Sequence, residues 1–340
     1  MEKEKKSVVV CIPCYNEERV LPQLRRAVEA LMVAEDRYEW RVVLVDDGST
    51  DGTLGLLRRW HEEDERVGYV SLSRNFGKEA ALLAGFDYVG DNHAYAADNH
   101  GFAAADACDG VGDNGCGAGC DCVVVMDADL QDPPEVVSEM LMWWEKGYQD
   151  VYARRRTRGR ESWVRRTLSV AFYRLMNRLS VVEMPENVGD FRLLDRRCVG
   201  AIRQLREVER YNKGLFSWIG FRKKEIVFDR ADRRDGGSKW SLWKLFSLAI
   251  DGITSFTTAP LRLATLLGAV IAFGAFVFLV FYIGKTLLFG DPVQGFTTLV
   301  SIILFLGGVQ LLSIGILGEY IARIFIETKR RPIYFVKESV

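Results

Sequence analysis

The stretch VVVMDADLQDPPE, residues 123–135, decides how this chain is read. Its unbroken apolar run, Val123 to Met126, lacks the polar alternation of a half-exposed strand and suits one buried on both faces, hence a parallel sheet. The run leads straight into Asp127, Ala128 and Asp129. In an extended segment residues two apart project to the same side, so both carboxylates are expected to face one site at the carboxyl end of the sheet. Open α/β sheets bind ligands there. Paired carboxylates, completed by diphosphate oxygens and water, suit the hard octahedral demands of Mg2+ or Mn2+. A bare Asp-x-Asp also occurs in solvated acidic turns, so the surrounding sequence carries the weight.

Working outward, two similar apolar runs occur earlier, Val8 to Ile12 and Val42 to Val45. Between them Val20, Leu24, Val28, Leu31 and Met32 repeat at helical spacing. Each run ends in polar residues: Asn16 and Glu17, then Asp46 and Asp47, then Asp127 and Asp129. Right-handed strand-helix-strand units bring such ends to one edge of a sheet, where they share a cleft. The expected fold class is α/β with a mostly parallel central sheet.

Gly90 to Asp121 interrupts this order, being rich in Gly, Ala and Asp and free of Lys and Arg. Such composition buries little apolar surface and predicts a flexible insertion over 90–121. Its Cys108, Cys116 and Cys120, with Cys122, His93 and His100, offer zinc-binding side chains in a spacing that fits no common zinc signature. The seven cysteines of the chain form no even framework and are read as reduced thiols.

The chain has 340 residues with 45 basic and 46 acidic side chains, a balance that gives no support to nucleic-acid binding. Its apolar residues gather near the C-terminus. Leu263 to Phe289 and Phe296 to Leu317, separated by Gly290-Asp291-Pro292, each exceed the ~20 residues that cross a bilayer core, and neither has a polar stripe. They read as a helical membrane hairpin over 259–326. Arg323, Lys329, Arg330 and Arg331 follow the second span, and a charged domain with Arg262 precedes the first, which places both termini on the cytoplasmic side. MEKEKK, followed only by a short apolar strand, does not read as a signal peptide. Trp240 to Phe256, with Trp240, Trp243, Leu245, Phe246, Leu248 and Ile250, reads as an interfacial helix within 239–258. A cationic segment, Arg154 to Arg166, leads into a second amphipathic pattern at Val164, Leu168, Phe172, Leu175, Met176 and Leu179. The organisation expected is thus a cytoplasmic domain over 1–238, the interfacial helix, the hairpin and a tail over 327–340.

Taken together, VVVCIPCYNEE, VVLVDDGSTDGT, LSRNFGKEAALLAGF, VVVMDADLQDPPE, NVGDFRLLDRR, YNKGLFSWIGF and RRDGGSK resemble the family 2 glycosyltransferases. More narrowly, they resemble membrane-anchored polyprenyl-phosphate sugar transferases, the bactoprenol glucosyltransferase and dolichyl-phosphate mannose synthase group. The resemblance runs from Ser7 to the C-terminus, leaving out only the insertion. It implies a GT-A fold in which Pro13, Tyr15, Asn16, Glu17, Asp46 and Asp47 form the base and ribose pocket. Carboxylates accept from uracil N–H and ribose hydroxyl donors, and Tyr15 offers an aromatic wall. Arg74 and Lys78 are implied to line the nucleotide-sugar site. Asp127 and Asp129 are implied to place the divalent metal, Mg2+ or Mn2+, with Asp129 favoured as the direct ligand. Gln131 and Asp132 either bind sugar hydroxyls or cap the helix starting near Pro133. Asp190 is the implied base with Arg192 beside it, though an alkyl phosphate with second pKa near ~6 needs little deprotonation. Arg233, Ser238 and Lys239 fit a clamp for lipid phosphate.

The activity implied is inverting transfer of one sugar from a nucleotide-diphosphate donor, UDP-glucose first and GDP-mannose as the alternative, to polyprenyl phosphate at the cytoplasmic face of the cell membrane. The partners expected are that donor, the lipid and the membrane, with a homo-oligomer left open. A processive polysaccharide synthase would carry more spans and a Gln-x-x-Arg-Trp motif, which is absent. A non-catalytic anchored sensor would make the Cys/His insertion its working part. Cys11 and Cys14, where small aliphatic residues are more familiar beside the proline, and the insertion itself depart from the pattern without removing a motif residue.

Overall fold

The computed structural model describes residues 5–90, 120–156, 188–228 and 295–340, with scattered positions from 261 to 288. The interfacial helix, the lipid-phosphate clamp of Arg233, Ser238 and Lys239, the amphipathic segment near Leu168 and nearly all of the insertion lie outside these residues.

The apolar runs become strands as expected. β1 (Ser7–Cys14) pairs in parallel with β2 (Glu39–Asp46), and between them α1 (Leu21–Ala34) buries Leu21, Leu24, Val28, Leu31 and Met32. α2 (Thr53–Glu63) leads to β3 (Val67–Leu72), parallel to β2. α3 (Lys78–Gly90) is followed by β4 (Cys122–Val125), which pairs in parallel with the other side of β1. α4 (Val136–Glu145), β5 (Asp150–Arg155), β6 (Val188–Asp195), α5 (Arg196–Gln204), α6 (Asn212–Trp218) and β7 (Lys223–Phe228) continue the unit. Two elements follow near the C-terminus, α7 (Phe296–Thr328) and β8 (Val336–Ser339). The sheet has the order β7-β5-β6-β4-β1-β2-β3-β8. Its centre, β4-β1-β2-β3, is parallel, whereas β6 runs against β4 and β5, and β8 against β3.

Because β1 is followed by β2 on one side and the chain later returns to set β4 on the other, the strand order reverses at β1. In doubly wound sheets that reversal opens a crevice beyond the carboxyl ends. Here β1, β2 and β4 run parallel and in register, so the fold itself delivers the polar residues that follow them to one edge of the sheet. A core of Val8, Val10, Ile12, Val42, Leu44, Val124, Met126, Phe191 and Leu193 fills one side of the sheet beneath it.

The last residues of the chain depart from expectation. Rather than a tail, 331–340 belong to the same compact unit as the sheet. β8 extends the β3 edge, with Val70 opposite Ser339, and Tyr69 and Val340 exchange backbone hydrogen bonds. Arg58 grips Glu338 through two hydrogen bonds of 2.9 and 2.7 Å. An open parallel edge has unpaired backbone donors and acceptors, and β8 satisfies them.

A second compact unit holds α7, an apolar helix of 33 residues. Among the described residues it is the one helix long and apolar enough to cross a membrane, over Phe305–Thr328 with mean hydropathy 1.6. The helix begins at Phe296, where the second expected span begins. Leu299, Ile303, Leu311, Ile314 and Phe325 along it are exposed, as a bilayer-facing surface requires. The described positions between 264 and 281 are also helical, and the rest of the first expected span lies outside the described residues.

α3 packs tightly on the sheet at Gly85, where an added Cβ would strike the Cys11 sulfur and come within 3.1 Å of Val45 Cγ2. Gly85→Ala should therefore lower stability by about 1–3 kcal/mol through overpacking. The double variant Gly85→Ala/Cys11→Ala, which frees the space, should recover part of that loss in thermal denaturation. A Gly85→Ala protein as stable as wild type would show that the close approach is not rigid.

Candidate active site

β4 ends at Val125, sooner than the sequence pattern implies, and Ala128 and Asp129 lie in a turn. Leu130, with φ 55°, sits in the left-handed region that non-glycine residues rarely adopt. Strand alternation therefore does not extend to Asp129. Asp127 reaches across to Lys78, whereas Asp129 Oδ1 accepts from the backbone N–H of Gln131 at 3.1 Å within its own turn.

Lys78, the first residue of α3, is the centre of the site. Its Nζ lies 2.5 Å from Asp127 Oδ1 and 2.6 Å from Asp190 Oδ2, joining the end of β4 to the middle of β6. Burial disfavours its charge, but the Asp190 and Asp127 carboxylates outweigh burial and hold the ammonium above its ordinary pKa. Burial likewise works against ionising Asp190, yet Lys78 and Lys213 hold that carboxyl below its ordinary value. Asp190 Oδ1 is buried without a hydrogen-bond partner.

Arg192, expected beside Asp190, is engaged elsewhere. It is buried, donates to Asp150 on the adjacent strand at 3.2 and 3.4 Å, and lies over the Phe216 ring at 3.9 Å. Its long side chain pairs with the buried Asp150 carboxylate, and a buried pair of this kind is costly to break.

Asp46 and Asp47, expected as ribose and base acceptors, fasten the loops around them. Asp46 accepts from Ser49 N–H at 3.0 Å and from the Ser71 hydroxyl at 2.7 Å. Asp47 accepts from the N–H groups of Phe76 and Gly77 at 2.7 and 2.9 Å, and burial nevertheless pushes its pKa up. Both therefore tie down the turns that follow β2 and β3, with further lone pairs remaining on each oxygen. Asn16, in the left-handed region at φ 57°, accepts from Thr50 N–H at 2.8 Å and joins the β1 turn to the Asp-Asp-Gly-Ser turn. Glu17 is tied to the same region through its N–H and Thr53 Oγ1. Tyr15 stands 45% exposed beside half-buried Pro13, free to meet a planar ligand.

Gln131 and Asp132 do not cap α4, whose N-cap is Glu135 without a side-chain hydrogen bond. Both are buried, and Gln131 Oε1 and Asp132 Oδ2 have no hydrogen-bond partner. Burial, with Asp127 nearby, pushes the Asp132 pKa up to about 6 against the pull of Arg155. Buried polar atoms without partners are uncommon and mark where a ligand completes the structure. These oxygens, with the half-buried Asp127 and Asp129, are the hard donors a divalent cation on a diphosphate takes, one or two carboxylates being enough. Among the described residues no group of three or more His, Cys, Asp or Glu forms a self-sufficient metal cage.

Sequence reasoning missed Glu79. It follows Lys78, accepts from Asn212 N–H at 3.0 Å, and has its pKa pushed up to about 7 by burial and by Asp190. A charged residue beside Lys78 was the only signal. Among the described residues Cys11, Cys14, Cys122 and Cys198 are buried free thiols, and burial pushes Cys11 up to about 12. Cys122 is thus a strand residue of the core.

The glycosyl transferase family 2 profile matches residues 9–109 and 117–202, and a profile described as the GtrB C-terminal hairpin matches residues 259–324. The chain belongs to glycosyl transferase family 2. An uncharacterized glycosyltransferase, sll0501, of Synechocystis sp. is 42% identical, over 97% of this chain and 94% of that protein. A prophage-derived bactoprenol glucosyl transferase of Shigella flexneri is 39% identical over 98% of each. A prophage bactoprenol glucosyl transferase homolog of Escherichia coli is 37% identical over 97% of this chain and 98% of that protein. The fold and the enzyme class anticipated from the motifs are thereby established.

Because the Asp190 pKa is depressed in the folded protein, its contribution to stability is present above the ordinary carboxyl value of ~4 and fades as pH falls through the lower folded value. Lys78→Met removes that contribution. Its melting temperature should fall below wild type near about pH 7, and the gap should narrow below about pH 4 as the carboxylates protonate. A gap of constant size over that range would assign the loss to packing instead of charge.

Proposed function

We propose that this enzyme transfers a single sugar, glucose from UDP-glucose, to polyprenyl phosphate at the cytoplasmic face of the cell membrane, with inversion at the anomeric carbon. The observation that carries this reading is similarity to bactoprenol glucosyl transferases over nearly the whole chain, catalytic unit and hairpin alike. The hairpin keeps a soluble active site beside a substrate that cannot leave the bilayer, with both termini cytoplasmic.

In this reading Tyr15, Asn16 and Glu17 meet the nucleotide over a wall built by Asp46 and Asp47, and Arg74 and Lys78 face the diphosphate. Asp129, with Asp127 and the unpartnered oxygens of Gln131 and Asp132 close by in sequence, holds Mg2+ or Mn2+ on the donor. The ion supplies Lewis-acid stabilisation of the charge that builds on the leaving nucleoside diphosphate. Lys78 adds a fixed positive charge whose position the two carboxylates set. Asp190, held ionised by Lys78, is a weak proton acceptor, and a lipid phosphate that is largely dianionic at neutral pH asks little of it. Its role is to orient the acceptor and the Lys78 ammonium. Arg233, Ser238 and Lys239 clamp the lipid phosphate from the juxtamembrane segment.

Purified full-length protein with Mn2+ or Mg2+, polyprenyl phosphate and radiolabelled nucleotide sugars should move label from UDP-glucose into organic-extractable lipid. Asp129→Asn should lower that transfer by about a hundredfold or more, the scale expected when transition-state charge stabilisation is removed. Label arriving only from GDP-mannose would replace the donor while keeping the reaction class. Undiminished transfer by Asp129→Asn would remove this residue from the metal site.

A further inference from the structure

We propose that the segment after α7, Tyr334 and Phe335 above all, is a positioning element for the turn Ser73–Lys78 that carries Arg74 and Lys78. The inference rests on the reading that this turn faces the donor. The turn is held from two directions. On the inner side the Asp47 carboxylate takes the N–H groups of Phe76 and Gly77, and Gly48, at φ +67°, lies so close that an added Cβ would be 2.6 Å from Asn75 N. On the outer side Ser73 donates its N–H to the Phe335 carbonyl at 2.9 Å, and the Phe335 ring lies 6.3 Å from that of Phe76.

The Arg74 guanidinium in turn lies 4.0 Å over Phe76, whose ring meets that of Phe335 at a tilt of 51°, so Arg74, Phe76 and Phe335 form one series of contacts ending in the chain's C-terminal segment. Tyr334 anchors that segment by donating its hydroxyl to Asp87 at 2.6 Å, a buried carboxylate on α3 that also accepts from Arg203 and Arg206. Lys78 opens the same helix. Arg74 and Lys78 are therefore each held by residues 334–335, Arg74 through the Phe76–Phe335 ring contact and Lys78 through the helix that Tyr334 and Asp87 tie down. A guanidinium already set over a ring loses less rotamer freedom on binding an anion than a free one.

Phe335 is 52% exposed, so its truncation removes little buried surface and the variant should fold. Full-length wild type, Phe335→Ala, Phe335→Tyr, Arg74→Ala, the double variant Phe335→Ala/Arg74→Ala and Glu338→Ala would be compared for donor KM and kcat. Binding of UDP and GDP would be measured alongside by calorimetry. Phe335→Ala should raise the donor KM by about fivefold or more with kcat within about twofold, and Phe335→Tyr should restore it. The double variant should be no worse than Arg74→Ala alone, as expected of residues acting through one another. Glu338→Ala loosens the same strand at its exposed ion pair with Arg58 and should change neither constant by more than about twofold. A Phe335→Ala enzyme with wild-type KM, additive losses in the double variant, or a Glu338→Ala effect as large as that of Phe335→Ala would each overturn the proposal. If wild type transfers sugar but Arg74→Ala leaves donor KM unchanged, the turn is not at the donor and the positioning role falls with it. Wild-type protein that binds neither nucleotide and transfers no sugar would overturn the functional reading first.

Discussion

One ammonium group between two carboxylates organises this active site. Lys78 stands at the start of α3, Asp127 just beyond β4 and Asp190 on β6, and these elements are far apart in sequence. Burial works against the Asp190 carboxylate, and the Lys78 ammonium beside it holds that carboxyl below its ordinary value. The pair also couples the parallel half of the sheet, which handles the nucleotide in our reading, to the antiparallel half that bears Asp190. Few interactions in the molecule join chemistry to architecture so directly.

The same pairing changes the expected chemistry. A carboxylate chosen as a general base works best with a pKa near the operating pH, and Asp190 is driven the other way. Glu79 and Asp132 are the carboxyls pushed up toward neutrality; Glu79 accepts from the start of α6, and Asp132 lies against Arg155. A phosphate nucleophile makes this arrangement sensible, because it arrives already charged. The site is built to hold charges in place, with little provision for moving protons.

Much of this was legible in the sequence. Continuous Val-rich runs marked the buried parallel strands, and the polar residues after each run marked the crevice, because strand order and strand ends follow from hydrophobic patterning and connection rules. What escaped depends on long-range geometry. No local pattern tells that Arg192 turns to Asp150 instead of Asp190, or that the chain breaks from extended form at Asp129 through a left-handed Leu130. Asp46 and Asp47 were recognised as site residues, but their first duty, fastening Ser49, Ser71, Phe76 and Gly77, shows only in three dimensions. The C-terminal strand did have a signal in Ile333-Tyr-Phe-Val336 after Pro332. Its partner, β3, lies on the far side of the apolar helix in sequence, so no local pattern pairs the two.

That placement sets an order of assembly. β3 keeps one edge open until residues beyond the apolar helix emerge, so the sheet can be closed only after the hydrophobic segment has been made. A fragment cut before the hairpin would display a bare strand edge, a known template for aggregation, and would lack the outer support of the Arg74 turn. Biosynthesis thereby puts the apolar helix ahead of the strand that closes the sheet, and a chain stopped short of residue 331 is one with an unfinished sheet.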